Sequence, residues 1–77
     1  MQLEIISPEK ILFSGEVSRI VLPGSEGYFE ILNNHAPLIA LLKAGITKYA
    51  IPSGEIFHVE IEHGFVEVNN NKVTVLV

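Results

Sequence analysis

The sequence has 77 residues, with no cysteine, no aspartate, and only five lysine or arginine residues. Without cysteine, neither a disulfide framework nor a cysteine-based zinc site can form, and a reducing compartment is compatible with the chain. All nine acidic residues are glutamates, and the formal net charge is −4. Nucleic-acid binding needs a basic footprint that replaces phosphate counterions, so this charge balance argues against it.

Long apolar runs are missing as well. A membrane-spanning helix needs about 20 consecutive apolar residues, whereas the longest uncharged stretch is interrupted by Asn, His and Pro. No polybasic segment is present to hold an anionic membrane surface. The first ten residues, MQLEIISPEK, include glutamates where a signal peptide has a basic start and an apolar centre. These absences predict a soluble protein that is made and kept inside the cell.

The apolar content is nevertheless high, because 48% of the residues are hydrophobic and the mean hydropathy is +0.39. A domain of this size has a large surface relative to its core and cannot bury every apolar side chain. The excess predicts either an apolar surface patch that a partner covers or a β-sandwich with an unusually well-filled core.

Alternation of apolar and polar residues dominates the pattern and predicts strands. In Glu55–His63 the inward residues are predicted to be Phe57, Val59 and Ile61, and the outward ones His58, Glu60 and Glu62. In Lys72–Val77, the three valines Val73, Val75 and Val77 share one face. Asn69–Asn71 links this segment to Phe65–Val68, which predicts a hairpin because asparagine tolerates positive φ.

Further short strands are predicted upstream, at Gln2–Ile6, Ile11–Phe13, Val17–Leu22, Tyr28–Leu32 and Gly45–Ile51. The breaks between strands are predicted at Ser7-Pro8, Ser14-Gly15, Pro23-Gly24 and Pro52-Ser53-Gly54. Leu38–Lys43 could form a short helix, but its length favours a strand. About ten short strands separated by turns predict a single all-β domain over residues 1–77, an antiparallel sandwich.

Catalytic and metal-binding arrangements fit the sequence poorly. His58 and His63 are five residues apart, so they face opposite sides of a continuous strand and cannot share an ion. A triad of Ser25 or Ser53 with His35 lacks a nucleophile elbow. The Gly24–Gly27 turn contains a glutamate and leads into a strand, which disfavours a phosphate loop. We therefore predict no catalytic residue, no metal and no cofactor, and interpret His35 as a hydrogen-bonding residue in a turn.

Several motifs in order suggest a family. These are Phe13-Ser14-Gly15, Gly24-Ser25-Glu26-Gly27, His35-Ala36-Pro37-Leu38, Gly64-Phe65-Val66-Glu67-Val68 and Asn71-Lys72-Val73-Thr74-Val75-Leu76. Their order over essentially the whole chain resembles the N-terminal domain of the ε subunit of F-type ATP synthases, the mitochondrial δ subunit. The resemblance implies a ten-stranded β-sandwich in the central stalk of the rotor, without catalytic residues of its own.

The resemblance also implies two partners, the γ subunit and the membrane-embedded c-ring, and a peripheral location on the cytoplasmic face of the bacterial inner membrane. Contacts with the c-ring are expected from Ser25, Glu26, Gly27, Tyr28 and Glu30. Contacts with γ are expected from Ser7, His35, Ala36, Leu38, Ile39, Leu41 and Leu42. Family members often have an acidic residue at the position of Tyr28, so the acidic contribution here is expected from Glu26 or Glu30.

Typical bacterial members continue into a helical hairpin that can inhibit ATP hydrolysis or bind ATP, whereas this sequence stops at Val77. We therefore expect the polypeptide to lack a C-terminal helical domain and ATP binding. A free-standing sandwich that binds a peptide or sugar is the main alternative function, and a small hydrolase that uses His35 is a third.

Overall fold

In the computed structural model, which describes residues 1–77, the chain forms nine β-strands and no helix. The strands are β1 (Gln2–Ile6), β2 (Ile11–Glu16), β3 (Arg19–Gly24), β4 (Gly27–Leu32), β5 (Leu38–Leu42), β6 (Gly45–Ala50), β7 (Ile56–Ile61), β8 (Gly64–Asn69) and β9 (Lys72–Leu76). The predicted all-β class is confirmed, with nine strands where about ten were expected. The chain has no helix that could span a membrane.

The strands pair in the order β2-β1-β9-β8-β5-β3-β6-β7, and β4 pairs with β3. All pairs are antiparallel except β1 with β9. β3 and β5 share a single residue pair, Gly24 with Leu42, and the sheet curls over at this junction. We call β5, β8, β9, β1 and β2 the five-stranded half, and β4, β3, β6 and β7 the four-stranded half.

Alternate residues of the strands point into a core of 14 buried hydrophobic side chains. Val73 and Val75 of β9 are fully buried, whereas Leu76 is 45% exposed, which confirms the alternation predicted for this strand. The preceding turn is also confirmed, because Asn70 and Asn71 have φ values of 52° and 58°. Two consecutive positive φ angles are typical of a tight hairpin turn and fix the register of β8 and β9.

The strand β7 keeps its predicted alternation but is less buried than expected. Phe57 pairs with the buried Tyr49 and so lies on the core face, yet it is 38% exposed, and Ile56, on the opposite face, is 47% exposed. β7 lies at an edge of the sheet, where the Phe57 ring stacks on Tyr49 at 5.7 Å and Tyr49 in turn contacts Phe13 at 4.4 Å. Phe57 therefore covers the core from its open side, and burial raises the pKa of the Tyr49 hydroxyl.

Two predicted breaks are wrong, because β2 continues through Ser14-Gly15 and β3 continues through Pro23-Gly24. β2 is an edge strand, and an edge position tolerates a glycine that contributes little packing. Pro23 lies two residues beyond Val21, the last residue of β3 that pairs with β6, so its missing N–H removes no hydrogen bond of that ladder. The predicted strand Leu38–Lys43 is confirmed as β5.

Thr47 is the exception to an otherwise apolar core. Its side chain is fully buried and its Oγ1 atom has no hydrogen-bond partner. A buried hydroxyl without a partner costs about 1–3 kcal/mol. We therefore expect Thr47→Val, which keeps the shape, to raise the free energy of unfolding by about 1 kcal/mol. Urea unfolding measures this change; Thr74→Val, at a half-buried position, is the control and should alter stability by less than about 0.5 kcal/mol.

Candidate docking surface

The turn between β3 and β4 is built by two glycines that are needed for different reasons. Gly27 has a φ of 131°, a conformation that other residues rarely adopt. Gly24 is needed for packing, because a Cβ there would lie 2.7 Å from the Gly27 oxygen and 2.9 Å from the Phe29 ring. Gly27 thus supplies an unusual backbone angle, whereas Gly24 avoids a steric clash. Ser25 and Glu26 lie exposed at the tip.

Hydrogen bonds hold this turn against the neighbouring strands. The Ser25 amide donates to the Leu41 carbonyl at 3.0 Å, and the Lys43 amide donates to the Pro23 carbonyl at 2.9 Å. The Tyr28 hydroxyl accepts a hydrogen bond from the Ile46 amide at 3.0 Å. The turn is therefore fixed to both β5 and β6.

The two candidate carboxylates of this region differ in their surroundings. Glu30 accepts a 2.8 Å hydrogen bond from Arg19, and both side chains are partly exposed. Glu26 has no ion pair within the chain. Glu26 is therefore the carboxylate that is free to meet a basic group of a partner.

The strand β5 divides its side chains between surface and core. Ile39 is 66% exposed and Leu41 is 64% exposed. Leu42 is 5% exposed and belongs to the core, and Leu38 packs against that core. The Leu42 side chain therefore has little surface left for the expected contact with γ, and Leu38 is half-buried. A five-residue strand alternates, so only one of its faces can meet another protein.

Leu41 is the first residue of an apolar row that crosses the outer surface of the five-stranded half. In the strand register, the members of this row pair in the order Leu41, Phe65, Leu76, Ile6 and Ile11. Leu76 is 45% exposed and Ile11 is 60% exposed, and Phe65 and Ile6 are half-buried. We call these five residues the apolar row. Ser7 directly follows Ile6, the last residue of β1, and therefore lies beside the apolar row.

A shallow groove of about 530 Å³ separates the turn from β5. Glu26 and Tyr28 line one side, and Ile39 and Leu41 line the other. Glu26 is its one ionisable carboxylate. Because both expected contact regions border this groove, they form a continuous surface.

His35 lies at the other end of β5 from this turn. Its backbone amide donates to the Leu32 carbonyl at 3.2 Å, and its Nδ1 lies 2.7 Å from the Ala36 carbonyl. The preceding residue, Asn34, has a φ of 62° and its amide donates to Asn71 Oδ1 at 2.7 Å. The interpretation of His35 as a hydrogen-bonding turn residue is thus confirmed. Asn34 was not singled out from the sequence, although asparagine tolerance of positive φ is the signal that could have identified it.

Asn33 ties this corner to the start of β1. The Met1 ammonium donates to Asn33 Oδ1 at 2.6 Å, to Glu16 Oε2 at 2.7 Å and to the Val17 carbonyl at 3.0 Å. Glu16 and Val17 are adjacent at the end of β2, whereas Asn33 lies in the corner that carries His35, so the Met1 ammonium joins these two parts of the chain.

The structure does not assemble the alternative chemical sites. Ser25 and His35 lie at opposite ends of β5, and Ser53 lies in the turn between β6 and β7, where it accepts a hydrogen bond from the Glu55 amide at 3.4 Å. No group of three or more His or Glu side chains could hold a metal ion. His58 lies on β7, while His63 lies in the turn that follows it.

These features define a small β-sandwich domain with an apolar surface suited to binding another protein. Over residues 1–77 the sequence matches the model of the β-sandwich domain of the ATP synthase delta/epsilon chain. The chain therefore belongs to this family, and the resemblance seen in the ordered motifs is confirmed.

Individual relatives agree with this assignment. The ATP synthase epsilon chain of Leptospira borgpetersenii is 49% identical over 77 residues, which cover 99% of this chain and 59% of that protein. The ATP synthase epsilon chain of Chlorobium limicola is 41% identical over 75 residues, which cover 97% of this chain and 85% of that protein. The chain thus spans about three fifths of the Leptospira relative.

Solved structures confirm the fold. A chain in the cryo-EM structure of the Euglena gracilis mitochondrial ATP synthase, described as OSCP/F1/c-ring, superposes with a TM-score of 0.91 at 23% identity and covers 97% of this chain and 48% of that chain. A chain in the central stalk/c-ring structure of the Tetrahymena thermophila enzyme gives 0.84 at 22% identity, covering 100% and 62%.

Proposed function

We propose that this domain is a non-catalytic component of the rotor of a proton-translocating F-type ATP synthase, where it joins γ to the c-ring. The observation that carries the proposal is that two surfaces of different chemistry lie side by side. One is the apolar row, and the other is the turn at Ser25–Gly27, which carries the unpaired Glu26. The names of the relatives, ATP synthase epsilon chain, and the central stalk/c-ring complex that contains one structural neighbour support it.

The apolar row is the proposed contact with γ. Leu41, Leu76 and Ile11 expose large apolar side chains on one face, and a few such side chains usually dominate the affinity of a protein interface. Ile39 extends this face along β5, and Ser7 borders it. His35 and Ala36, at the far end of β5, mark the other limit of the proposed contact.

The turn at Ser25–Gly27 is the proposed contact with the c-ring. It is exposed, held by hydrogen bonds at its base, and carries the unpaired Glu26. A contact formed by such a turn is polar, so its strength depends on ionic strength. Tyr28 borders the same contact, whereas Glu30 is engaged by Arg19.

A β-sandwich suits the transfer of torque. Of the 46 backbone hydrogen bonds, 36 lie within the strands, and this ladder resists shear between the two proposed contacts. Rotation of the ring would then reach γ with little deformation of the domain. The same role implies a peripheral position at the cytoplasmic face of the bacterial inner membrane, and the bacterial relatives support it.

Reconstitution with γ and a detergent-solubilised c-ring tests the proposal. We expect the protein to co-purify with both, and the complex with the c-ring to weaken as salt is raised. A stable monomer that binds neither component would contradict the rotor function and favour a free-standing peptide- or sugar-binding domain.

The two carboxylates provide a matched comparison. We expect Glu26→Gln to weaken c-ring binding about 3- to 5-fold at low salt, as partly exposed ion pairs contribute up to about 1 kcal/mol. Glu30→Gln should change binding less than 2-fold, because Arg19 already neutralises that carboxylate. Titration at two salt concentrations measures both, and an equal loss for the two variants would contradict the assignment of Glu26.

A further inference from the structure

The strand β3 changes partners close to the turn at Ser25–Gly27, which we call the docking turn. Its residues from Arg19 to Val21 pair with β6, and Gly24 pairs with Leu42 of β5. The β3–β6 ladder ends at Val21 paired with Lys48, so β3 offers no acceptor to the amide of Ile46. The Tyr28 hydroxyl takes this place at 3.0 Å.

Gly45 provides the space for this contact. A Cβ at Gly45 would lie 2.6 Å from the Tyr28 hydroxyl oxygen and 2.7 Å from Pro23 Cβ. The Tyr28 side chain thus reaches across Pro23 to the start of β6, although it is 56% exposed. Although Tyr28 is exposed, its side chain is held in one position by the hydrogen bond from Ile46 and by close packing against Gly45.

We propose that Tyr28 is a positioning residue for the docking turn. Its hydroxyl bonds β4 to β6 one residue after Gly27, and so limits the directions in which Glu26 can point. The role of Glu26 in c-ring binding rests on the function proposed above, whereas the tether from Tyr28 to Ile46 is a property of the domain itself.

The physical reason is preorganisation. Binding requires a mobile segment to be ordered, which costs affinity, and a segment that is already ordered avoids this cost. Removal of the hydroxyl leaves the Tyr28 ring and every charge in place, so the affinity changes only through the position and freedom of the turn.

Tyr28→Phe in the full chain tests this role. We expect hydrogen exchange at the Ile46 amide to accelerate about 5- to 10-fold, the range expected for loss of one hydrogen bond of about 1 kcal/mol. We expect the affinity for a detergent-solubilised c-ring to fall about 3-fold, by the same factor at low and high salt. Glu26→Gln should instead lose affinity mainly at low salt, which separates positioning from charge.

Tyr49→Phe is the matched control, because it removes the hydroxyl of the other tyrosine, which lies in the core. It should leave both exchange at Ile46 and c-ring affinity unchanged. Unaltered exchange in Tyr28→Phe would overturn the tether. Faster exchange with full affinity would overturn the positioning role. If the unmodified protein does not bind the c-ring, the proposed function and the positioning role both fail, and exchange still decides whether the tether exists.

Discussion

Gly24→Ala is expected to lower the free energy of unfolding by about 2–3 kcal/mol, the upper part of the range for an overpacked buried site. A Cβ at this position would lie 2.7 Å from the Gly27 carbonyl oxygen and 2.9 Å from two atoms of the Phe29 ring. The oxygen belongs to the backbone of the opposite strand, so it cannot turn aside as a flexible side chain would. The methyl group can be accepted only if the ends of β3 and β4 move apart.

Urea unfolding measures this loss, and Gly15→Ala is its control. A Cβ at Gly15 meets only the Phe13 ring, at 3.2 Å, and this ring can move by a few tenths of an ångström. The control should therefore cost less than about 1 kcal/mol. Equal losses for the two variants would contradict the contact with the Gly27 oxygen as the reason for glycine at position 24.

Much of the fold could be predicted because the turn residues and the alternation of apolar residues indicate the same strand pairs. The three asparagines before Lys72 favour positive φ, and the valines that follow alternate, so turn and strand specify the same hairpin. Alternation placed Phe57 on the core face correctly, but it could not show that β7 is an edge strand, where this ring stays 38% exposed. Pro23 and Gly24 resemble a break, yet they extend β3 because this end of the strand leaves β6 for β5.

The docking surface was harder to predict from the sequence, for a physical reason. The apolar row draws Leu41, Phe65 and Ile11 from distant parts of the chain, and only the register of the strands aligns them. Within β5, the sequence shows five apolar residues in succession, so nothing local separates the inward Leu42 from the outward Leu41. Likewise, the pairing of Glu30 with Arg19 depends on the β3–β4 register rather than on neighbouring residues.

The largest effect on binding is expected from Leu41→Glu. Leu41 is 64% exposed and lies where the apolar row meets the groove beside the docking turn. A carboxylate there would lose its hydration when γ covers the row, and it would be buried without a partner. We expect the affinity for γ to fall at least about 30-fold, which corresponds to about 2 kcal/mol, the threshold for residues that dominate an interface.

The outer face of the four-stranded half offers a matched control. Ile56 is also a large aliphatic residue, and it is 47% exposed on β7, remote from the apolar row in the strand order. Ile56→Glu should change the affinity for γ by less than about 2-fold. Both substitutions are at exposed positions, so the free energy of unfolding should change little, and urea unfolding verifies this. If Ile56→Glu weakened the complex as much as Leu41→Glu, γ would bind the other face, and the apolar row would need a different occupant.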